Sequence, residues 1–400
     1  MKTVTIFLPG VFEDACIYMG RLLVITAEWN FQFYNYEQII QKLENQSPRS
    51  QSLLTYLFTR NDWLASNQFK ALAKNEDIRN AILNNIDELS RTTIELNSSQ
   101  KLDPKVYKLG IPAYVFLDVE VYNQRVYIGA DTGLYHVDFN WMSDSVEMLG
   151  KPQKRHDAKS ISMSTKYGSI NVSSGDEGLF CAFDEFGRAN SNRNSIKKID
   201  NKSIRTSWFN TDLLNYSTST SPTFLCGSYE RIDYSGSDRK SNPLFKRESN
   251  LLRELGTEKY ELDYLFTILY EKESIGDQTI QYVYNSNGTM FIYTFEGNFY
   301  SIGIQKSEGE RPRVRFTKTY KGENTRILSV HPSKNGLIIE TNDRILLFAN
   351  DKWHKILDSE VLSVRTHMKS KRYQNIVVNT TEEGIYITSM FNENEWIKSS

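Results

Sequence analysis

The sequence predicts an all-β chain made of seven copies of one short antiparallel meander. Three observations carry this. The stretches "GADTGLYHVDF" and "SSGDEGLFCAFD" read as copies, with Gly133 and Gly178 standing 45 residues apart, a period at which repeat architectures are the first possibility to test. Aromatic residues make up 12% of the 400 residues, with 23 Tyr and 21 Phe, and such side chains suit half-buried pleated surfaces. Apolar and polar residues also alternate in short runs separated by turn residues, which is the hairpin pattern.

In chain order, "KTVTIFLPG" reads as a strand ahead of the first repeat, which follows as "ACIYMGR" and "LLVITAEWNFQFYNY". Asn30 to Gly133 is then 103 residues, one repeat plus 58. Within that excess, Ser47-Pro48 suits a helix start, and Leu53, Leu54, Leu57 and Phe58, then Ile78, Ile82, Ile86 and Leu89, follow at spacings of three and four, as on amphipathic helices. Repeats two and three pair "VEVYNQR" and "SMSTKYGS" with the two opening copies, and repeat four pairs "TSWFNTDL" with "SPTFLCGSYE", where Ser221-Pro222 replaces the glycine turn. Thr223 to Gly297 is 74 residues, one repeat plus 29, a second out-of-period segment that opens as a polar loop. Repeats five to seven are "QYVYNSNGT" with "IYTFEGNFYSIGI", "SVHPSKNG" with "IIETNDRILLFAN", and "SVRTHMKSKRY" with "VVNTTEEGIYITSM". Each gives strands a, b and c; a fourth strand, d, is visible only in places, as in "RVRFTKTY" and "KWHKIL".

Seven sequential meanders of this period predict a seven-bladed β-propeller, because radial repetition leaves each sheet only short edges. Residues 1–400 form one propeller domain on this reading, with a helical insertion at 42–100 between blades one and two and a second insertion at 235–272 between blades four and five. Residues 3–8 or "EWIKSS" complete the last blade. The turns of the form D-x-G-L-Y resemble those of bacterial families of the β-propeller superfamily, over most of the chain outside the two insertions. The GH…WD pair of WD40 blades and the Gly-Gly of kelch blades are absent. The resemblance implies the architecture and a habit of binding proteins, although enzymatic propellers exist.

Lys and Arg number 48 against 49 Asp and Glu, so no global basic field drives binding to nucleic acid or anionic membranes. Cys16, Cys181 and Cys226 are few, distant and without metal-ligand spacing, which points to a reducing, cytoplasmic setting. No window has the roughly 18 apolar residues of a membrane helix. The histidines show no HxH or HExxH spacing; His136 is expected to pack between blades, and His331-Pro332 to open a turn. GxSxG, SxxK, GxxxxGKS and GxGxxG are all missing, so no catalytic, cofactor or metal residue is nominated. Acids recur at the b–c turns, namely Glu28, Asp131, Asp176, Glu177, Glu296, Asp343, Glu382 and Glu383, and the reading preferred for each is turn formation. Bases recur at the a–b turns, namely Arg21, Arg125, Lys166, Lys334, Lys369, Lys371 and Arg372, with Asp212 against them and the "NSNG" turn neutral. The two ends of the blades are therefore expected to carry opposite charge.

Four basic segments, Lys151–His156, Ser237–Glu248, Arg311–Phe316 and His367–Tyr373, offer phosphate-binding stripes as an alternative; in the third, Arg311, Arg313 and Arg315 are expected on one side of a strand with Val314 and Phe316 on the other. The chain spends its length on repeated structure, which favours a non-enzymatic protein-interaction scaffold, a subunit of a complex without cofactors. The helices must bury their apolar face either on the propeller rim or on a partner. Leu54, Tyr56, Leu57, Phe58, Trp63 and Phe69 supply more aromatic surface than a small insertion needs internally, so partner docking is expected, with the segment removable without unfolding the blades. Lys369, Lys371 and Arg372 are the second candidate contact. An active site at a channel mouth and a nucleic-acid-binding subunit are the alternatives.

Overall fold

The computed structural model describes residues 1–46, 53–96, 103–143, 145–166, 168–183, 196–209, 212–231, 250–261, 279–286, 288–305, 313–322 and 325–393. Their strands form seven sheets, the blades of a seven-bladed β-propeller. β1 (Lys2–Pro9) precedes blade one, which is β2 (Phe12–Tyr18), β3 (Arg21–Thr26), β4 (Asn30–Asn35) and, beyond an excursion, β6 (Lys105–Lys108). The excursion holds α1 (Tyr36–Gln46), α2 (Leu53–Phe58), α3 (Asn61–Leu64), α4 (Asn67–Leu72), α5 (Glu76–Leu89) and the short β5 (Ile94–Glu95). Blade two is β7 (Phe116–Tyr122), β8 (Arg125–Ala130), β9 (Gly133–Asn140) and the outer pieces β10 (Glu147–Met148) and β11 (Gln153–His156). Blade three is β12 (Ser162–Lys166), β13 (Ser169–Ser173), β14 (Leu179–Phe183) and β15 (Lys197–Asp200); blade four is β16 (Arg205–Phe209), β17 (Asp212–Tyr216), β18 (Pro222–Arg231) and β19 (Asn250–Glu261). Blade five is β20 (Ile280–Ser286), β21 (Thr289–Thr294), β22 (Asn298–Gln305) and β23 (Arg313–Lys321); blade six is β24 (Ile327–Ser333), β25 (Gly336–Thr341), β26 (Ile345–Ala349) and β27 (Lys352–Leu357). Blade seven is β28 (Ser363–Thr366), β29 (Ile376–Thr380) and β30 (Gly384–Phe391), with β1 as its fourth strand.

The chain divides into two compact units: Met1–Leu109 with Asn140–Glu147 and Thr325–Ser400, and Gly110–Phe139 with Met148–Asn324. The first holds blades one, six and seven with the helices; the second holds blades two to five. Inner strands are buried on both faces, as β26 and β13 are; "ILLFA" of β26 is accordingly a continuous apolar run, whereas "SINVS" of β13 buries Ser169, Asn171 and Ser173 as well. Outer strands are exposed or half-buried along their length, as β23 and β27 are.

The repeated glycine has a cause beyond its turn. A Cβ at Gly133 would stand 2.1 Å from the carbonyl oxygen of His156, and one at Gly178 would stand 2.2 Å from that of Asp200. The outer strand thus crosses the start of strand c too closely for any side chain. At Gly384 the obstructing oxygen belongs to Leu8, 2.3 Å away, so β1 occupies the place that a fourth strand takes elsewhere. Its pairing with β30 is antiparallel and unbroken from Lys2↔Phe391 to Pro9↔Gly384. The first strand of the chain therefore completes the last blade; "EWIKSS" lies outside the described residues.

The helical excursion departs from expectation in two ways. It begins at Tyr36 rather than residue 42, and it lies inside blade one, between strands c and d, because β6 pairs with β4 from Asn30↔Lys108 to Phe33↔Lys105. The "KVYK" of β6 has no apolar pattern by which sequence could reveal a strand. The helices also pack on the chain's own last blade. Leu54, Leu57, Phe58, Phe69 and Ile86 are buried in one cluster with Val4, Ile6 and Leu8 of β1 and Ile385 and Ile387 of β30. Ser389 Oγ donates to the Leu57 carbonyl at 2.6 Å, Asn375 N to Asn61 Oδ1 at 3.3 Å, and Lys2 pairs with Asp87 at 2.7 Å. β5 adds to the outer edge of β1 in parallel, Ile6↔Ile94, covering an edge that would otherwise template aggregation. The second expected insertion is corrected too: residues 250–261 are β19, paired with β18 from Thr223↔Glu261 to Arg231↔Asn250, while 232–249 and 262–278 lie outside the described residues.

Two outcomes are expected from this packing. Phe58→Ala lowers the unfolding free energy in urea by about 3–5 kcal/mol, as for other deleted core aromatics, and removing 53–89 destabilises the fold; a removable docking element would leave urea denaturation unchanged. Gly384→Val lowers the melting temperature by pushing the β1 backbone off β30, whereas an unaltered melting curve would mean that β1 does not hold the blade closed.

Candidate interaction surface

The b–c turns of the first unit share one construction. Thr26 Oγ1 donates to Glu28 Oε2 at 2.9 Å, and Thr341 Oγ1 to Asp343 Oδ1 at 3.1 Å; in blade seven Glu383 N donates to Thr381 Oγ1 at 3.3 Å. In the second unit the acid also reaches the start of its own strand a. Asp131 Oδ1 accepts from Tyr114 N at 3.2 Å, and Glu296 Oε1 accepts from Thr279 N at 3.2 Å. Bonds from its own backbone N–H and that of Thr279 hold Glu296 below the ordinary carboxylate range. The acids hold turns together, as expected from residue type, and Glu28, Asp176, Glu177, Glu296, Asp343, Glu382 and Glu383 nonetheless remain exposed.

The a–b cations are largely engaged within the protein. Arg125 pairs with Asp138 at 2.6 Å, Arg372 with Glu37 at 3.0 Å, Arg21 donates to the Ser143 carbonyl at 3.0 Å, and Lys166 lies over Trp208. Lys369 and Lys371, at the blade-seven a–b turn, are exposed. The expected opposition of charge is thus weakened on both sides: Arg125 and Arg372 are paired with carboxylates, and at the b–c turns Asp176 pairs with Lys202 at 3.0 Å and Asp343 with Arg344 at 2.9 Å.

Strand a brings the remaining polar groups together in the first unit. Arg365 of β28 grips Asp14 of β2 with Nη2–Oδ2 at 2.5 Å and Nε at 3.1 Å from both carboxylate oxygens, and His367 Nε2 accepts from Ile17 N at 3.0 Å. Both contacts advance in the same direction along β28 and β2, so these strands start on the same side. Asn335 Nδ2 reaches Asn375 Oδ1 at 3.5 Å, which joins the a–b ends of blades six and seven. The b–c ends of blades six, seven and one therefore face one way.

At that end strand a carries a β-bulge. The register slips between Phe12 and Asp14 in blade one and between Ile327 and Ser329 in blade six, and in the second unit between Phe116 and Asp118 and between Ile280 and Tyr282. A bulge turns one residue out of the ladder. The residue before it is buried, as Phe12, Phe116 and Ile327 are, while Leu117 and Leu328 are 36% and 42% exposed. In blade seven Leu362, 49% exposed after buried Val361, stands just ahead of the ladder. Sequence reasoning missed these positions. Their signal was the match of Phe12, Asp14, Tyr18 and Arg21 with Phe116, Asp118, Tyr122 and Arg125.

The helical candidates fall elsewhere. Leu54, Leu57, Phe58 and Phe69 are buried, and Tyr56 and Trp63 stack at 4.1 Å and pack on the same core, so this surface is spent inside the chain. The four basic segments gain little support. Lys154 pairs with Asp157 at 2.7 Å, and Arg155 donates to His136 Nδ1 at 3.0 Å. In β23 the register slips at Arg315, which leaves Val314 packed inward and Phe316 42% exposed, instead of the single alternation expected; Ser237–Glu248, Arg311 and Pro312 lie outside the described residues.

No catalytic arrangement forms from the titratable groups described. Burial pushes the His136 imidazole down to about 4 and the Cys181 thiol up to about 12, so each sits neutral in the core. His331 lies within β24 rather than at a turn, because the strand runs on to Ser333. Its Nε2 is 2.6 Å from Ser329 Oγ, which donates to Glu340, a carboxyl raised by burial. The carboxylate thus contacts the serine, not the far side of the histidine where a nucleophile's base would need it. Among the described residues no group of three or more His, Cys, Asp or Glu could hold a metal ion, and no helix is long and apolar enough to cross a membrane.

No family model matches the chain, and no curated protein matches it in sequence. Among solved structures it is similar to the WD40 β-propeller domain of Doa1, at 8% identity and a TM-score of 0.46 over 98% of this chain and 97% of that one. It is also similar to Raptor of Chaetomium thermophilum, at 10% identity and a TM-score of 0.48 over 97% of this chain and 29% of that one, and to the computationally designed Ika8 protein, at 8% identity and a TM-score of 0.41 over 96% of this chain and all of that one. Likenesses this slight say nothing of activity or partner, and the fold rests on the seven sheets themselves.

Proposed function

We propose that the chain is a non-enzymatic scaffold that binds partner proteins through the b–c end of its blades. The observation that carries this reading is the set of exposed acids at the b–c turns of blades one and seven, Glu28, Glu382 and Glu383, of which Glu28 is held by the Thr26 hydroxyl. Fixed charge at an exposed surface favours fast, oriented encounter with a partner of opposite sign. Lys369 and Lys371 offer a secondary, basic contact.

The test begins with co-purification from the native source and identification of partners by mass spectrometry. Binding of the recovered partner is then measured for two charge reversals. Glu382→Lys with Glu383→Lys should weaken binding about tenfold at low salt, with the difference shrinking as salt rises; Lys369→Glu with Lys371→Glu should change it less. Equal effects from both, or none from either, would contradict an oriented acidic surface.

A further inference from the structure

Three apolar side chains are exposed at the b–c end of the first unit, each where the chain enters strand a. Val11 is 70% exposed, Leu362 49% and Leu328 42%. They belong to blades one, seven and six, which adjoin through β2, β28 and β24. A monomeric surface scatters such residues singly; here Leu328 and Leu362 each follow a buried residue at the entry to strand a, the β-bulge turning Leu328 outward, and Val11 stands just ahead of buried Phe12. Nothing in the blade needs a leucine there, since blade one has Glu13 at the matching position. Beside them stand the exposed acids Glu360, Glu382 and Glu383. The Glu383 carbonyl accepts from Gly10 N at 3.0 Å, and the Thr380 carbonyl from Leu362 N at 2.7 Å, so the blade-seven b–c turn is tied directly to the segments that carry Val11 and Leu362. Of the cations at this end, Arg344 is paired with Asp343 at 2.9 Å, and Arg326 is exposed.

We infer that Val11, Leu328 and Leu362 form a docking seat for a cationic protein segment, in which a large apolar side chain covers the leucines while lysine or arginine residues on either side meet Glu360, Glu382 and Glu383. The inference rests on the scaffold reading and specifies its seat and the chemistry of the partner. Charge selects the occupant. The acids repel nucleic acid and anionic lipid, and a second copy of the same acidic end would be repelled too. A partner segment of alternating basic and apolar residues satisfies both components at once.

The probe is a fluorescent peptide of alternating lysine and leucine, added to the full-length protein, with lysine–serine and glutamate–leucine peptides as comparisons and anisotropy as the readout. The lysine–leucine peptide should bind. Leu328→Ser with Leu362→Ser should weaken it about tenfold, as loss of apolar anchors does elsewhere, while leaving the melting temperature unchanged because both side chains are exposed. Glu382→Lys with Glu383→Lys should weaken it in a salt-dependent way. Equal binding of the lysine–serine peptide, or of the lysine–leucine peptide to the double-serine variant, would overturn the seat. If the double-serine variant also keeps the recovered native partner, the scaffold reading stands and only the seat is lost; if no variant at this end affects that partner, the scaffold reading fails at its b–c end.

Discussion

The structure depends on one set of hydrogen bonds, those between the first strand of the chain and the last. Among the described residues blade seven takes three strands, β28, β29 and β30, from one stretch of sequence, which leaves the outer edge of β30 to be paired. β1 provides the fourth, and the glycine at 384 lets its backbone pass at a distance no other residue would permit. Joining residues nearly four hundred apart is entropically expensive for a long chain, so the pairing needs more than its ladder. The helices of blade one supply it, laying Leu57, Phe58 and Ile86 against the same strands. Between strands β2 and β28, the Arg365–Asp14 grip and the bond from Ile17 N to His367 bind blade seven to blade one from the inner side. Closure is thus held from the outer edge and from the inner strand.

This accounts for where the exposed chemistry is and where it is not. Aromatic surface that looks excessive for a small helical segment is consumed by the closing blade. Basic turns that look like a charged patch are consumed by Asp138, Glu37, Trp208 and the Ser143 carbonyl. At the b–c turns Glu28 and Glu296 keep their charge because hydroxyl and amide donors hold a carboxylate without neutralising it, whereas Asp176 and Asp343 are paired with Lys202 and Arg344. A bulge beside that end then turns leucine outward in blade six, and Leu362 follows in blade seven. Acid and apolar surface thus meet where blades six and seven enter strand a.

The sequence made the inner strands legible because both of their faces are buried, so runs such as "LLVIT" and "ILLFA" keep their apolar character whatever the neighbours are. It made the acids legible as turn formers for the same local reason. Outer strands were obscure because solvent relaxes their pattern, and "KVYK" of β6 carries no mark of its pairing with β4. That gap displaced the helices from within blade one to the space after it. The docking role expected of Leu54 and Phe58 failed on a different ground: an amphipathic stripe shows that a face will be covered but not by what, and the cover here comes from residues more than three hundred positions away as well as from β1. The outward leucines escaped notice because a bulge is a property of register between strands, which single-strand alternation cannot express.

The central claim is that β1, β30 and the helices form one cooperative closure. Native-state hydrogen exchange tests it most directly. The account predicts that amides of Val4, Ile6 and Leu8 in β1 and of Leu57 and Phe58 in α2 exchange together with those of β30, at a free energy close to that of global unfolding. Rapid exchange of β1 or α2 while β29 and β30 remain protected would contradict it, because the last blade would then stand closed without them.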